Sequence, residues 1–445
     1  MSENRPITDP ALPDLAALFA RLPAHDEQAM PVERVQALLH EAIALAGPVA
    51  GPFETVPLHQ ALDRVLAVTV DSPIDVPAHD NAAMDGHALD GSALRPGEPT
   101  ELDVVGRALA GQPFLGSTPV RGCVRIMTGA VMPPGLDTVV PQELCETLAD
   151  GRVRIPAGAV RRGDHRRARG EDLAIGRPAL LAGRRLRPAD LGLLASLGLT
   201  SVVLHRRLRV ACFSTGDELR AAGEPLPPGC IYDSNRQSLL ASVQRLGMEA
   251  IDLGIVPDQP EALTRALQSA CRQADVVLTS GGVSAGDADH TRDVIARLGQ
   301  AAYCKLAMRP GRPFAFGALA GGTPDQPRTV WLFGLPGNPV ASLVSFHVLV
   351  RQALERLAGA DARPPVVLTA RSLEAIRKRA GRSEYLRGRL ERDPDGELAV
   401  RLTGAQGSGI LRSLSEADAL VVLPQAQGPV APGDRVEVWP FDGLI

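Results

Sequence analysis

The sequence predicts a multi-domain α/β and β protein. A central α/β domain is built on a parallel sheet, with a small β-rich region before it and a small barrel after it. Three observations carry this. From about residue 208 to 359, apolar strands alternate with helical patterns at the spacing of βαβ units. From about 57 to 156, the apolar runs are short and broken by Gly and Pro. After Pro364, short runs with turn residues between them return.

The elements follow in chain order. Residues 1–30 lack sustained periodicity and read as a loosely ordered tail. Val35, Leu38, Leu39, Ile43 and Leu45 give helical spacing over 32–45, after Pro31. Strand-like runs are 64–70, 102–105, 123–127 and 138–140; a helix is expected at 189–199. In the central domain, strands are expected at 210–213, 250–253, 276–278 and 330–333. Helices are expected at 239–246, 261–272, 291–298 and 339–357. The closing strands are expected at 366–370, 385–390, 398–402, 419–423 and 435–438.

Composition bounds the function. The 445 residues suggest about two to four domains. A net charge of −4 and a pI near 6.2 exclude a nucleic-acid binder working by bulk charge. The Arg161–Arg169 run lacks aromatics for base stacking and is followed by Glu171 and Asp172, so it reads as a solvated or anion-lining face. Cys123, Cys145, Cys212, Cys230, Cys271 and Cys304 form no C-x-x-C pair and read as buried free thiols in a reducing compartment. The first apolar stretch, 15–20, is too short for a secretory signal, and no run reaches the roughly 18 apolar residues of a membrane span. The expected location is cytoplasmic, with neither membrane nor nucleic acid as partner. Arginine supplies nearly every basic position; the lysines are Lys305 and Lys378.

Ligands of open parallel sheets sit at the carboxyl ends of the strands. Two central loops leave strands there: Ser214-Thr215-Gly216-Asp217-Glu218, and the run from Thr279 through Ser280, Gly281, Gly282 and Ser284 to Asp289. Glycine N–H groups and hydroxyls suit phosphate, and carboxylates beside them suit a hard cation such as Mg²⁺. The other reading is tight turns capping the next helices. Asp258 belongs with these carboxylates or is a helix N-cap before Glu261. Lys305, Arg309 and Arg312, in KLAMRPGRPFAF, suit an anion or form a solvated basic loop. The turn Gly334-Leu335-Pro336-Gly337-Asn338-Pro339 allows close backbone approach to a ligand, or is ordinary turn chemistry. Asp80–Ala88 reads as a tight backbone site or a solvated turn. His79 and His87 lack a third ligand for a metal.

Together these motifs resemble the molybdopterin molybdenumtransferases of the MoeA type, which include the E domain of gephyrin. The matching pieces are DNAAMDGHA (80–88), RIMTGA (125–130), RGED (169–172), FSTGDEL (213–219), IYDSNR (231–236), TSGGVSAGDADH (279–290), KLAMRPGRPFAFG (305–317) and GLPGNPV (334–340). The resemblance implies a two-segment linker domain (31–74 and 158–207), a small β-rich domain (75–157), an α/β molybdopterin-binding domain (208–364) and a C-terminal β-barrel (365–445). It also implies an elongated homodimer with an active site shared between subunits. The implied reaction inserts molybdate into adenylylated molybdopterin and releases AMP, with Mg²⁺ as cofactor.

By motif position, the resemblance assigns Asp258, Asp289 and Glu218 to the metal, and Ser280 and Ser284 to the phosphates. Thr215, Gly216, Asp233, Gly281 and Gly282 would border the same substrate. Lys305, Arg309, Arg312, Arg387 and Ser408 would receive molybdate, and Pro336 and Pro339 would shape the wall. Asp85, Thr128 and Asp172 would come from the partner subunit. Contacts with the adenylyltransferase and with apo molybdoenzymes are also implied. Departures are Arg309 and Arg312 where lysines are common, His87 and His290 for an aromatic, and Ala341 for Ser; Arg and Lys differ in donor geometry. The alternatives are a molybdopterin-binding scaffold without turnover, which the intact set Glu218, Asp258 and Asp289 argues against, and a molybdopterin adenylyltransferase, which needs neither the small domain nor the barrel.

Overall fold

The computed structural model describes residues 15–19, 21, 29–47, 49, 53–282, 288–323 and 326–441. The central sheet runs in the order Glu249–Val256, Arg209–Thr215, Val276–Ser280, Gln326–Leu335, Pro313–Thr323, Gly299–Lys305. The first four strands are parallel, and the last two add an antiparallel edge. Side chains alternate between the faces of a strand. Val210, Cys212, Val276, Leu278, Trp331 and Phe333 therefore fill one core, and Ala211, Phe213, Val277, Val330 and Leu332 fill the other. Helix Asn235–Arg245 and the stretch from Pro339 to Leu357 cover the first face. Helices Pro260–Gln273 and Ala288–Leu298 cover the second. Burial on both faces explains why these strands read as continuous apolar runs.

The sequence expectation differs from the fold in three places here. The antiparallel strands at 299–305 and 313–323 were not expected, because PFAFGALAGGT mixes Gly and small residues without alternation. The run 64–70 forms only isolated bridges at Val65 and Leu66 and a short strand at Val70–Asp71. The expected single helix 339–357 contains a π-helical turn at Phe346–Val350.

Helix Val32–Ala46 packs on the central core through Val35, Leu38, Leu39 and Ile43, away from the segments with which it was grouped. Within the expected tail, Leu15 and Leu18 are buried in that core, and Phe19 meets Phe316 edge-to-face at 5.4 Å. Phe53–Pro57 pairs with Ser201–His205, and Val56, Leu66, Leu186, Leu194 and Leu204 share one core, so two distant chain segments fold together. The small β region is a six-stranded sheet with apolar clusters around Val124 and Val140. At the C-terminal end, Leu368–Ser372, Ser383–Arg392, Leu398–Leu402, Ala419–Leu423 and Arg435–Pro440 close into a barrel. Leu386, Val421 and Val438 fill it, while Tyr385, Leu420 and Val422 on the alternate face enter the central core. All six cysteines are free; Cys123, Cys212, Cys271 and Cys304 are buried as expected, whereas Cys145 and Cys230 are only half-buried.

Candidate active site

Register places the strand ends side by side. Thr215 pairs with Val256, Ser214 with Ser280, and Ser280 with Leu335, so four loops leave one edge of the sheet together. Asn235, at the start of its helix, ties two of them. Its Nδ2 donates to Ser280 Oγ and to the Gly337 carbonyl, each at 2.7 Å. Ser280 Oγ in turn donates to the Pro336 carbonyl at 3.2 Å. Gly281 N–H donates to the Leu335 carbonyl at 3.1 Å, and a Cβ on Gly281 would lie 2.5 Å from the Thr215 carbonyl oxygen. Its φ of 93° likewise favours glycine. Ser280 and Gly281 thus use these groups to hold the loops. Asp233 also works inward: it is buried and accepts from Ser214 Oγ at 3.0 Å and Arg236 Nε at 2.9 Å.

Other polar groups lie at or near the same strand ends. Gly282 sits between Thr215 and Thr291, and the buried hydroxyls of both, with Asn235 Oδ1, lack hydrogen-bond partners among the described residues. Buried polar atoms without partners are uncommon, and a polar ligand would satisfy these. Glu218 is exposed and its carboxylate folds back over Gly216. Asp258 is half-buried, and its N–H donates to Asp217 Oδ1 at 3.4 Å. Gln259 holds the N-cap position of the following helix, so the capping explanation for Asp258 falls away. Ser284 and the side chains of Asp289 and His290 lie outside the described residues. No group of three metal-type ligands occurs among the described residues.

A second set of loops brings cations beside this edge. Lys305 ends one strand and Pro313 begins the next; between them Met308–Arg309 pairs with Ser383 and Glu384 of the barrel. Arg309 and Arg312 are exposed, and Arg309 Nη1 lies 3.9 Å from the buried carboxylate of Glu384. Arg387 is fully buried, and among the described residues its charge is bonded to neutral oxygens alone: Ser413 Oγ at 3.0 Å, the Gly407 carbonyl at 3.0 Å and the Ala405 carbonyl at 3.5 Å. Burial, and then Arg309, push its guanidinium down to about 10. Ser408, in the same barrel loop, accepts from Val340 N–H at 3.0 Å, which joins the loop to the helix opened by Pro339. Pro336 is buried in the adjoining turn.

Asp85 and Thr128 meet in the small β region, and Asp172 lies in a separate loop beside Val76. Asp85 Oδ1 accepts from both the N–H and Oγ1 of Thr128 at 2.7 Å, and these bonds hold its carboxyl below the usual range. Gly86 leaves no room for a side chain, because a Cβ would lie 1.9 Å from the Val140 carbonyl oxygen. Asp172 is exposed, and its N–H bonds the Val76 carbonyl. The His87 ring is buried, which lowers its pKa. Among the described residues, no hydrogen bond or ion pair joins Asp85, Thr128 or Asp172 to the central loops. The sequence reading did not single out Asn235, although it lies in the quoted IYDSNR piece, and it missed Ser413 and Gln406, which hold Arg387.

Comparison with known proteins accounts for this arrangement. Residues 30–198 match the family model described as the MoeA N-terminal region (domain I and II), 211–356 the probable molybdopterin binding domain, and 369–441 the MoeA C-terminal region (domain IV). The molybdopterin molybdenumtransferase of Haemophilus influenzae is 39% identical over 399 residues, covering 88% of this chain and 96% of that one. The Nostoc protein of the same name is 37% identical over 391 residues, covering 86% and 88%. The crystal structure of the molybdopterin biosynthesis MoeA protein from Pyrococcus horikoshii OT3 superposes with a TM-score of 0.77 at 26% identity, covering 93% of this chain and 100% of that one. The chain therefore belongs to the MoeA family, the molybdopterin molybdenumtransferases.

Proposed function

We infer that the chain is a transferase of molybdenum cofactor biosynthesis that inserts molybdate into adenylylated molybdopterin, with release of AMP. The observation that carries this is the meeting of two unlike loop sets: the hydroxyl of Thr291 beside Gly282, with no partner among the described residues, and a buried Arg387 with no carboxylate partner among the described residues where the barrel adjoins. The first suits phosphates and the second an oxyanion. Thr215, Gly216 and Gly282 line the phosphate side, and Ser284, outside the described residues, is assigned there by motif position. Asn235, Ser280, Gly281 and Asp233 set its shape. Lys305, Arg309, Arg312, Arg387 and Ser408 receive molybdate against the wall of Pro336 and Pro339.

Mg²⁺ fits the donor set, since it takes one or two carboxylates and keeps several waters. Glu218, Asp258 and Asp289 would hold it, and it would offset charge developing on the phosphoanhydride. The cations draw molybdate from solvent, and the enclosed Arg387 orients it where water competes least. Asp85, Thr128 and Asp172 complete the site from a second copy in a homodimer. The domain limits are those given above, with Val32–Ala46 moved to the α/β domain whose core it enters.

The test is reconstitution. Purified protein with adenylylated molybdopterin, Mg²⁺ and molybdate is expected to activate an apo molybdoenzyme. Asp289→Ala is expected to lower this by at least about 10²-fold while circular dichroism stays unchanged. No activation by the wild type refutes the reading, and a scaffold would bind the pterin without turnover.

A further inference from the structure

We propose that Ser413 is a positioning residue for the molybdate pocket: its hydroxyl fixes the guanidinium of Arg387 so that the Nη1 group is left for the incoming anion. This rests on the reading of Arg387 as a molybdate ligand. Arg387 and Ser413 are 0% and 3% exposed, so neither turns freely. Ser413 Oγ donates its own proton to the Ile410 carbonyl at 2.7 Å, which directs its lone pairs to Arg387 Nε at 3.0 Å. The short helix Leu411–Ser415 is held in turn, because Thr403 Oγ1 donates to the Ser413 carbonyl at 2.6 Å.

Gln406 clamps the Arg387 backbone from both sides. Its Oε1 accepts from Arg387 N–H at 2.8 Å, and its Nε2 donates to the Arg387 carbonyl at 3.1 Å. Arg387 Nη2 donates to the Gly407 carbonyl at 3.0 Å. A guanidinium is planar, so bonds at Nε and Nη2 set its orientation completely. Nη1 is then left buried without a partner among the described residues. A buried cation bonded only to neutral oxygens is costly until an anion arrives, which makes the pocket selective for negative charge. Removing the Ser413 oxygen leaves Nε–H unsatisfied and lets the fork turn.

The experiment uses the full chain, with molybdate binding measured by titration calorimetry and turnover measured on adenylylated molybdopterin. Ser413→Ala is expected to weaken molybdate binding and raise its KM about tenfold, leaving kcat at saturating molybdate and KM for adenylylated molybdopterin within about twofold. Ser413→Thr, which keeps the hydroxyl, is expected to restore affinity. Ser413→Cys, nearly isosteric but a weak acceptor, is the second variant should alanine not fold, and should fail in the same direction. In an Arg387→Ala background, adding Ser413→Ala should change molybdate affinity by less than about twofold. Wild-type affinity in a folded Ser413→Ala protein, or equal losses in both backgrounds, overturns the proposal. Wild-type protein that binds no molybdate overturns it together with the pocket. Wild-type protein that binds molybdate but inserts none contradicts the proposed function alone.

Discussion

Asn235 joins two loops with one side-chain amide, and its loss should show at once. Asn235→Ala removes both donors, leaving Ser280 Oγ and the Gly337 carbonyl without them. The expected cost is about 1–3 kcal/mol in denaturant unfolding, together with a fall in kcat/KM for adenylylated molybdopterin. Unchanged stability and unchanged kcat/KM would remove Asn235 from the frame of the site. At this scale the sequence was legible for chemistry and less so for direction. Ser280 and Asp233 carry donor and acceptor types that suit a ligand, yet their bonds run to the protein. Nothing in a sequence says which way a side chain turns. Arg387 shows the converse: only the fold reveals a fully buried arginine with no carboxylate partner among the described residues.

Among the elements, the turn at Gly281 is a tight joint between two strand-end loops. Gly281→Ala puts a methyl group 2.5 Å from the Thr215 carbonyl oxygen at a φ of 93°, and should destabilise by about 1–3 kcal/mol. Gly337→Ala has only the Gly281 Cα at 3.9 Å and should leave the melting temperature near that of the wild type. Equal melting shifts would contradict the contact. The parallel strands were legible because two buried faces give continuous apolar runs. The antiparallel strand 313–323 was not, because its glycines and alanines match packing space and give no period. The barrel strands 398–402 and 419–423 matched their expected limits, since turn residues bracket them on both sides.

In the whole molecule, barrel and central domain share a core, and His347 lies near their junction. Its ring packs at 6.0 Å from that of Phe441, and burial, then Arg351 and Arg245, lower its pKa from 6.5 to about 4. The unfolded chain therefore takes up a proton before the folded one as pH falls. Stability present above pH 6.5 should decline progressively toward pH 4, and His347→Asn should flatten that share of the slope in melting scans. An unaltered slope would show that the imidazole takes up its proton over the same pH range in both states. The multi-domain α/β and β class was legible from alternating composition. The packing of Leu15, Leu18 and helix Val32–Ala46 into the central core was not, because an apolar stripe on a helix does not name the surface that covers it.

The central claim is that this site couples loss of AMP to gain of molybdenum. A single-turnover reaction on adenylylated molybdopterin, counting AMP released and molybdenum bound to the pterin, tests it most directly. The account predicts one AMP per molybdenum inserted, with both falling together when Mg²⁺ is omitted or Asp289 is replaced. AMP released in full with no molybdenum transferred, or neither product from the wild-type protein, would contradict it.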